Sequence, residues 1–220
     1  MNNLNLNCLL FLPYWEILNG FASHLQKLFQ LMKIYLTDQK YKFKKHLDFL
    51  RTKKVMDYDK TILREKITTI KINTAKNIDQ LNLDILFDYK IFPDRIMTFK
   101  NEWTDENRKM RIGDTIAQQV YIPPTKIFSQ KIIFGVRINE IIDQPNRKGF
   151  SYETLEGHVE KGISTFTVEQ LDNKLIFKIQ TYSTPGNILT KLLGPIFSIP
   201  YQTFCTKTAL NNIKKQLETQ

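Results

Sequence analysis

Residues 149–169 read GFSYETLEGHVEKGISTFTVE. Phe150, Tyr152 and Thr154 alternate with Ser151, Glu153 and Leu155, and Phe166 and Val168 alternate with Thr165, Thr167 and Glu169. A period of two is the mark of an extended strand with one buried face. Between the two runs lie Gly157 and His158, so the stretch reads as a β-hairpin whose turn carries ionisable groups. Gly149, Gly157 and Gly162 stand at its ends and turn, where backbone comes so close that a Cβ would clash.

The same alternation continues on both sides. Ile116, Gln118, Val120 and Ile122 form one strand, which Pro123-Pro124 ends. Ile132, Phe134, Val136 and Ile138 form the apolar side of the next, and Asp143-Gln144-Pro145-Asn146 turns the chain into the hairpin. Beyond it, Asp172-Asn173 leads tightly into Leu175, Phe177, Ile179 and Thr181. Such short connections imply neighbouring antiparallel strands. From Asn187 the spacing of Leu189, Leu192, Leu193, Ile196 and Phe197 is helical, Gly194, Pro195 and Pro200 interrupt it, and a helix resumes over Tyr201 to Leu217.

Upstream, Ile62 to Asn73 reads as a strand, and Asn77 to Tyr89 as a helix capped by Asn77. Ile91 to Trp103 reads either as a short helix opened by Pro93 or as extended chain over Ile96 to Phe99. A further helix after Asp38 would turn Tyr41, Leu47 and Leu50 inward and its lysines outward. Three segments are therefore expected: residues 1–31 as an extension, 32–60 as a basic helical segment and 61–220 as the main domain. Met1 to Leu31 carries one Glu and one Lys. It has no basic residue ahead of its apolar run, and it is too broken by Pro13, Glu16 and Asn19 to span a bilayer. Met32 is the expected natural start; an amphipathic anchor through Leu18, Phe21, Leu25, Leu28 and Met32 is the competing reading.

The apolar fraction of 42% over 220 residues suits one domain with a proper core. Two cysteines at opposite ends, Cys8 and Cys205, form no framework and point to a reducing, cytoplasmic setting. His24, His46 and His158 are too scattered for a metal cluster, and no cofactor fingerprint or nucleophile elbow occurs. The net charge of +10 is concentrated: Lys40, Lys42, Lys44, Lys45, Arg51, Lys53 and Lys54 face Asp48 alone. That segment is either a solvated helix face or a contact surface for phosphates of anionic membrane or, less favoured, nucleic acid.

The hairpin from Gly149 to Val168, the element Arg111-Ile112-Gly113-Asp114 and the turn Ser183-Thr184-Pro185 together resemble an uncharacterised bacterial and plant family. It is a domain of unknown function within the START-like, helix-grip superfamily, and the likeness extends over about Thr61 to Gln216. The resemblance implies an α+β fold in which a curved antiparallel sheet grips a long C-terminal helix around an apolar cavity. It also implies binding of small hydrophobic ligands, with a minority of relatives acting as enzymes. It supplies no catalytic residues.

Several side chains could carry chemistry. In extended chain, His158 and Glu160 share a face and could form an imidazole–carboxylate acid/base pair; otherwise they close the turn by bonding its backbone. Arg137, between Val136 and Ile138, either meets an anionic ligand group or guards an exposed sheet surface. Gln118 shares the face of Ile116 and Val120 and is a better buried polar group than Gln119. Tyr152, Thr154 and Tyr182 complete the expected ligand-contacting set, and Trp103 is a pocket or core residue. The leading expectation is a carrier of a small hydrophobic or amphipathic ligand. The alternatives are an enzyme working through His158 and Glu160, and a peripheral binding module working through Lys40 to Lys54.

Overall fold

The computed structural model describes residues 33–124, 128–172, 174–186 and 199–220. Eight antiparallel strands form one sheet. They are β1 (Lys33–Tyr35), β2 (Arg64–Ile72), β3 (Met97–Asn101), β4 (Thr115–Ile122), β5 (Gln130–Gln144), β6 (Arg147–Thr154), β7 (Glu160–Leu171) and β8 (Lys174–Pro185). The spatial order is β2-β8-β7-β6-β5-β4-β3, and β1 adds to the first part of β5. Strands β3 to β8 form a meander, and β2 closes its far edge against β8. The helices are α1 (Phe43–Arg51), α2 (Asp84–Phe87), α3 (Glu102–Asp105) and α4 (Ile199–Glu218). The fold is α+β, with the sheet gripping the C-terminal helix.

Cross-strand register explains which face is inside. Phe150 lies opposite Phe166, Val168 opposite Phe177, Leu175 opposite Ile72 and Ile116 opposite Val136. Opposed residues point to the same face, so these apolar sets merge into one concave surface. A register shift between Ile138 and Glu140 bends β5, so that Ile138 and, after the bulge, Ile141 both face inward. On α4, Ala209, Leu210, Ile213 and Leu217 make a helical stripe that is buried against this surface. The apolar run Leu189 to Phe197 lies outside the described residues.

The convex face is covered too, which plain alternation does not foretell. Phe43, Leu47 and Leu50 of α1 pack on Ala117, Ile133 and Leu155. Gly135 permits this approach, because an added Cβ would stand 2.9 Å from both Leu50 and Leu155. Tyr41 is fully exposed and takes no part in the inward stripe. Asp38 Oδ1 accepts from Lys40 N at 2.9 Å and holds a 3-10 turn over Lys40–Lys42, so α1 begins only at Phe43. The chain leading into α1 also covers Gln119, on the convex side, which is as buried as Gln118. Gln119 accepts from Gln39 N and donates to Asp38 and Thr98.

Elsewhere the chain is more broken than its apolar spacing suggests. Asn77 and Gln80 form a reciprocal capping box, yet the turn they cap spans only Ile78–Gln80. Asn82 then restarts the chain by accepting from Asp84 N, and α2 follows. Between Pro93 and Trp103 the chain is extended as β3 and ends in α3, capped by Asn101. The Arg111–Asp114 element is a turn with Gly113 at φ 93°, in which Asp114 accepts from Arg111 N and twice from Arg108.

Candidate functional site

The centre of the concave face is built by an unusual helix ending. Tyr89 N donates to Leu86 O and Lys90 N to Ile85 O, the pair of bonds that closes a helix through a left-handed residue. Glycine usually fills that position, but here it is Tyr89, at φ 62° and fully buried. The left-handed conformation costs a tyrosine about 1–2 kcal/mol. In return it aims the ring at Phe92, Phe99, Phe150 and Tyr152, with centroids 5.2–6.2 Å away.

A line of polar groups starts from that ring. Gln118 Nε2 donates to Tyr89 Oη at 2.5 Å. The Tyr152 ring stands 6.2 Å from that of Tyr89, and on the strands Tyr152 lies opposite Ser164, so its hydroxyl comes between them. Ser164 Oγ lies 3.2 Å from Thr181 Oγ1. Gln118, Tyr152, Ser164 and Thr181 sit on β4, β6, β7 and β8, so the line crosses the sheet. Burial pushes the Tyr89 and Tyr152 phenols up and keeps both as neutral hydrogen-bonding groups. At the open end of β7, burial likewise pushes the Glu160 carboxyl up, against the opposing influence of a Ser183 hydrogen bond and the Lys66 charge.

His158 and Thr154 have other duties. His158 Nδ1 lies 2.9 Å from both the amide nitrogen and the carbonyl oxygen of Glu160. Its ring stands 4.1 Å from that of Phe134. Burial lowers the imidazole pKa to about 4, so it is neutral near pH 7. Of the two readings of His158, the structure shows the turn-closing one, because Nδ1 folds back on the turn's own backbone rather than meeting the Glu160 carboxylate. Thr154 Oγ1 accepts from Gly162 N at 3.0 Å and fastens the same hairpin.

Arg137 and Tyr182 lie on the convex face, away from the polar line. The Tyr182 hydroxyl and Gln180 both donate to Glu65. Arg137 donates to Arg51 O at 3.0 Å, Lys53 O at 3.1 Å and Thr115 Oγ1 at 3.3 Å. A guanidinium on the last carbonyls of α1 satisfies acceptors that the helix cannot satisfy itself. Replacing it in Arg137→Met should destabilise the protein by about 2 kcal/mol and release α1 from the sheet. Urea denaturation and amide exchange over Phe43 to Arg51 would check this; an unchanged midpoint would deny Arg137 that role. In the basic segment, Lys40, Lys42, Lys44, Lys45 and Lys54 are exposed, Lys53 is half-buried and Arg51 pairs with Glu102 at 3.4 Å.

Neither Tyr89 nor the line through Ser164 to Thr181 stands out in the sequence. The signal for Tyr89 is a tyrosine where a helix end would take glycine, which is visible only once that end is known.

A bent antiparallel sheet wrapped on a C-terminal helix defines the helix-grip class of fold. Within it, this chain belongs to the family described as domain of unknown function (DUF1990), which matches residues 83–211, more than half its length. The crystal structure of ginseng major latex-like protein 151 from Panax ginseng is similar, with a TM-score of 0.50 at 10% identity. That likeness covers 71% of this chain and 98% of the ginseng chain, and it shows the fold alone. Protein Mll3558 from Rhizobium loti aligns over 72% of this chain and 98% of its own, with a TM-score of 0.37 and 14% identity. A comparison with curated proteins found no match. Among the described residues no helix is long and apolar enough to cross a membrane.

Proposed function

We propose that the protein binds a small hydrophobic or amphipathic molecule between the sheet and its C-terminal helix. The apolar body would lie against the Phe150, Phe166 and Ile179 wall, and its polar end would meet the line from Gln118 to Thr181. The observation that carries this reading is the polar line itself, whose Gln118–Tyr89 and Ser164–Thr181 hydrogen bonds flank the buried Tyr152 inside an otherwise apolar grip. A purely structural interior is more stable with apolar groups at such places, whereas a few polar groups on an apolar wall orient a ligand. Burial of the ligand's apolar surface, at about 25 cal/mol per Å², would supply affinity after ordering costs. Glu160, half-buried, with burial pushing its carboxyl up, adds a polar group at the same end of the face. An acid/base enzyme working through His158 draws no support from the geometry, since its Nδ1 is taken up by the Glu160 backbone.

The test is a titration with anilinonaphthalene sulfonate, joined to native mass spectrometry of protein purified gently from its host. The native chain should bind the dye saturably. Thr181→Trp, which fills the β8 end of the line, should weaken binding by at least about tenfold while circular dichroism shows an intact fold. Equal binding by a folded Thr181→Trp variant would place the dye elsewhere and remove this reading.

A further inference from the structure

A second recess lies on the α1 side of the sheet. Both β1 and β6 use the same edge of β5, end to end: Lys33 is paired with Ile133, and Leu155 N donates to Gly135 O. Where the two meet, a small crevice opens, lined by Lys33, His46, Phe49, Leu50, Glu156 and Gly157 among others. His46 is only 7% exposed, and its Nε2 has no hydrogen-bond partner. Its ring is held edge-on to Tyr35 at 5.4 Å. A buried imidazole nitrogen left unpaired costs free energy that a bound polar group would recover.

The surroundings specify the charge of that group. Lys33 Nζ stands 3.8 Å from the Phe49 ring centroid and Lys53 Nζ 4.9 Å from it, so two ammonium groups flank one aromatic wall. Lys45 precedes Phe49 by four residues on α1, which puts the two on one helix side, and Lys42 stands just ahead of that helix. The charges of Lys33, Lys42 and Lys45 all act on His46. Against these stands Glu156, which is exposed.

We infer that this crevice binds a phosphate group, with His46 Nε2 as its buried donor and Lys33, Lys45 and Lys53 as its counter-charges. The site is distinct from the concave face and gives the basic segment a defined target. The group could be a lipid headgroup or a free phosphate, which present the same oxygens. Binding is linked to protonation. Burial and the neighbouring lysines hold His46 below its ordinary range, and an anion beside it opposes the lysines. A bound phosphate therefore favours imidazolium, and affinity rises as pH falls. The charged and titratable groups around His46 are Lys33 and Tyr35 from β1, Lys42 from the turn before α1, Lys45 from α1, Lys53 after it and Glu156 from the β6–β7 turn.

The test follows the histidine resonances of the full chain by NMR from about pH 5 to about pH 8 as inorganic phosphate is added at constant ionic strength. His46 should shift saturably and titrate at higher pH, whereas His158, whose Nδ1 is taken up by Glu160 backbone, should show no such rise in its titration. Lys45→Gln, an exposed change that leaves the fold intact, should weaken the effect about tenfold. An equal response to chloride, or no saturable response, overturns the proposal. Vesicles of phosphatidylcholine with and without phosphatidic acid identify the source. Sedimentation only with the acidic lipid, lost in Lys45→Gln and competed by free phosphate, assigns the headgroup. A saturable phosphate response without vesicle binding assigns a soluble phosphate ligand.

Discussion

Alanine at Gly162 is expected to leave the chain without a stable native state. Gly162 adopts φ 150°, and a Cβ built there would stand 1.9 Å from Tyr182 O and 2.9 Å from the Ser183 Cα. Both obstacles are backbone of β8, held by a continuous ladder along β7, so neither can swing away. The Gly162 amide is also fixed from the other side by Thr154 Oγ1. Relief requires prising the two strands apart at the end that carries Glu160 and Ser183. The cost should exceed about 4 kcal/mol, comparable to the whole stability of a marginal domain. Gly113→Ala is the matched control. It too has positive φ, 93°, but nothing lies within 4 Å of its would-be Cβ. It should cost only about 1–2 kcal/mol, from the left-handed backbone alone. Urea denaturation of both variants separates the two effects. Similar midpoints would mean that β7 and β8 can part locally at little cost, contrary to their observed pairing.

The glycine demand at this hairpin was legible because a strand's period of two and a turn's need for bare backbone are local properties. The neighbouring strands from β4 to β8 followed from short connections and the C-terminal helix from its spacing, whereas the long-range pairings of β2 with β8 and β1 with β5 did not. Inside and outside were harder. Alternation assigned Gln118 to the core and Gln119 to the opposite face correctly, but it could not show that the opposite face is also covered. The cover comes from α1 and from the chain that leads into it, where Asp38 and Gln39, 81 and 80 residues upstream, bond Gln119 and make it as buried as Gln118. Arg137 was read between a ligand and open water. Its actual partners are carbonyl groups 84 and 86 residues away in sequence, at the end of that same helix. Tyr89 escaped because its role depends on a left-handed backbone, which residue identity argues against rather than for. What the sequence withheld in each case was long-range contact, not local preference.

Acid should expose the second strong dependence, through His158. Its imidazole is buried against Phe134, with Nδ1 engaged by Glu160 backbone, so a proton must enter as an unsolvated charge. The folded-state pKa falls from its ordinary 6.5 to about 4. The unfolded chain therefore takes up this proton first. The stability contributed is complete above about pH 6.5 and is lost as pH falls through about 4, amounting to about 3 kcal/mol. Glu160 works in the opposite sense. Its raised pKa gives stability that is present at low pH and is lost as pH rises past the ordinary carboxyl value of 4.5. The acid limb of the native protein is thus a sum of two slopes of opposite sign, and its shape alone does not isolate either. His158→Asn does, because an amide oxygen can still accept from Glu160 N yet does not titrate. The difference in unfolding free energy between native and variant, followed by chemical denaturation across that range, should shrink by about 3 kcal/mol as pH falls. A constant difference would show that His158 gains its proton in the folded state as readily as in the unfolded one, and that the turn is open to water. Because that turn sets the ends of β6 and β7, the same protonation should loosen Glu160 and Ser183 first. Amide exchange at Gly162 should accordingly rise in acid in the native protein and remain slow in His158→Asn.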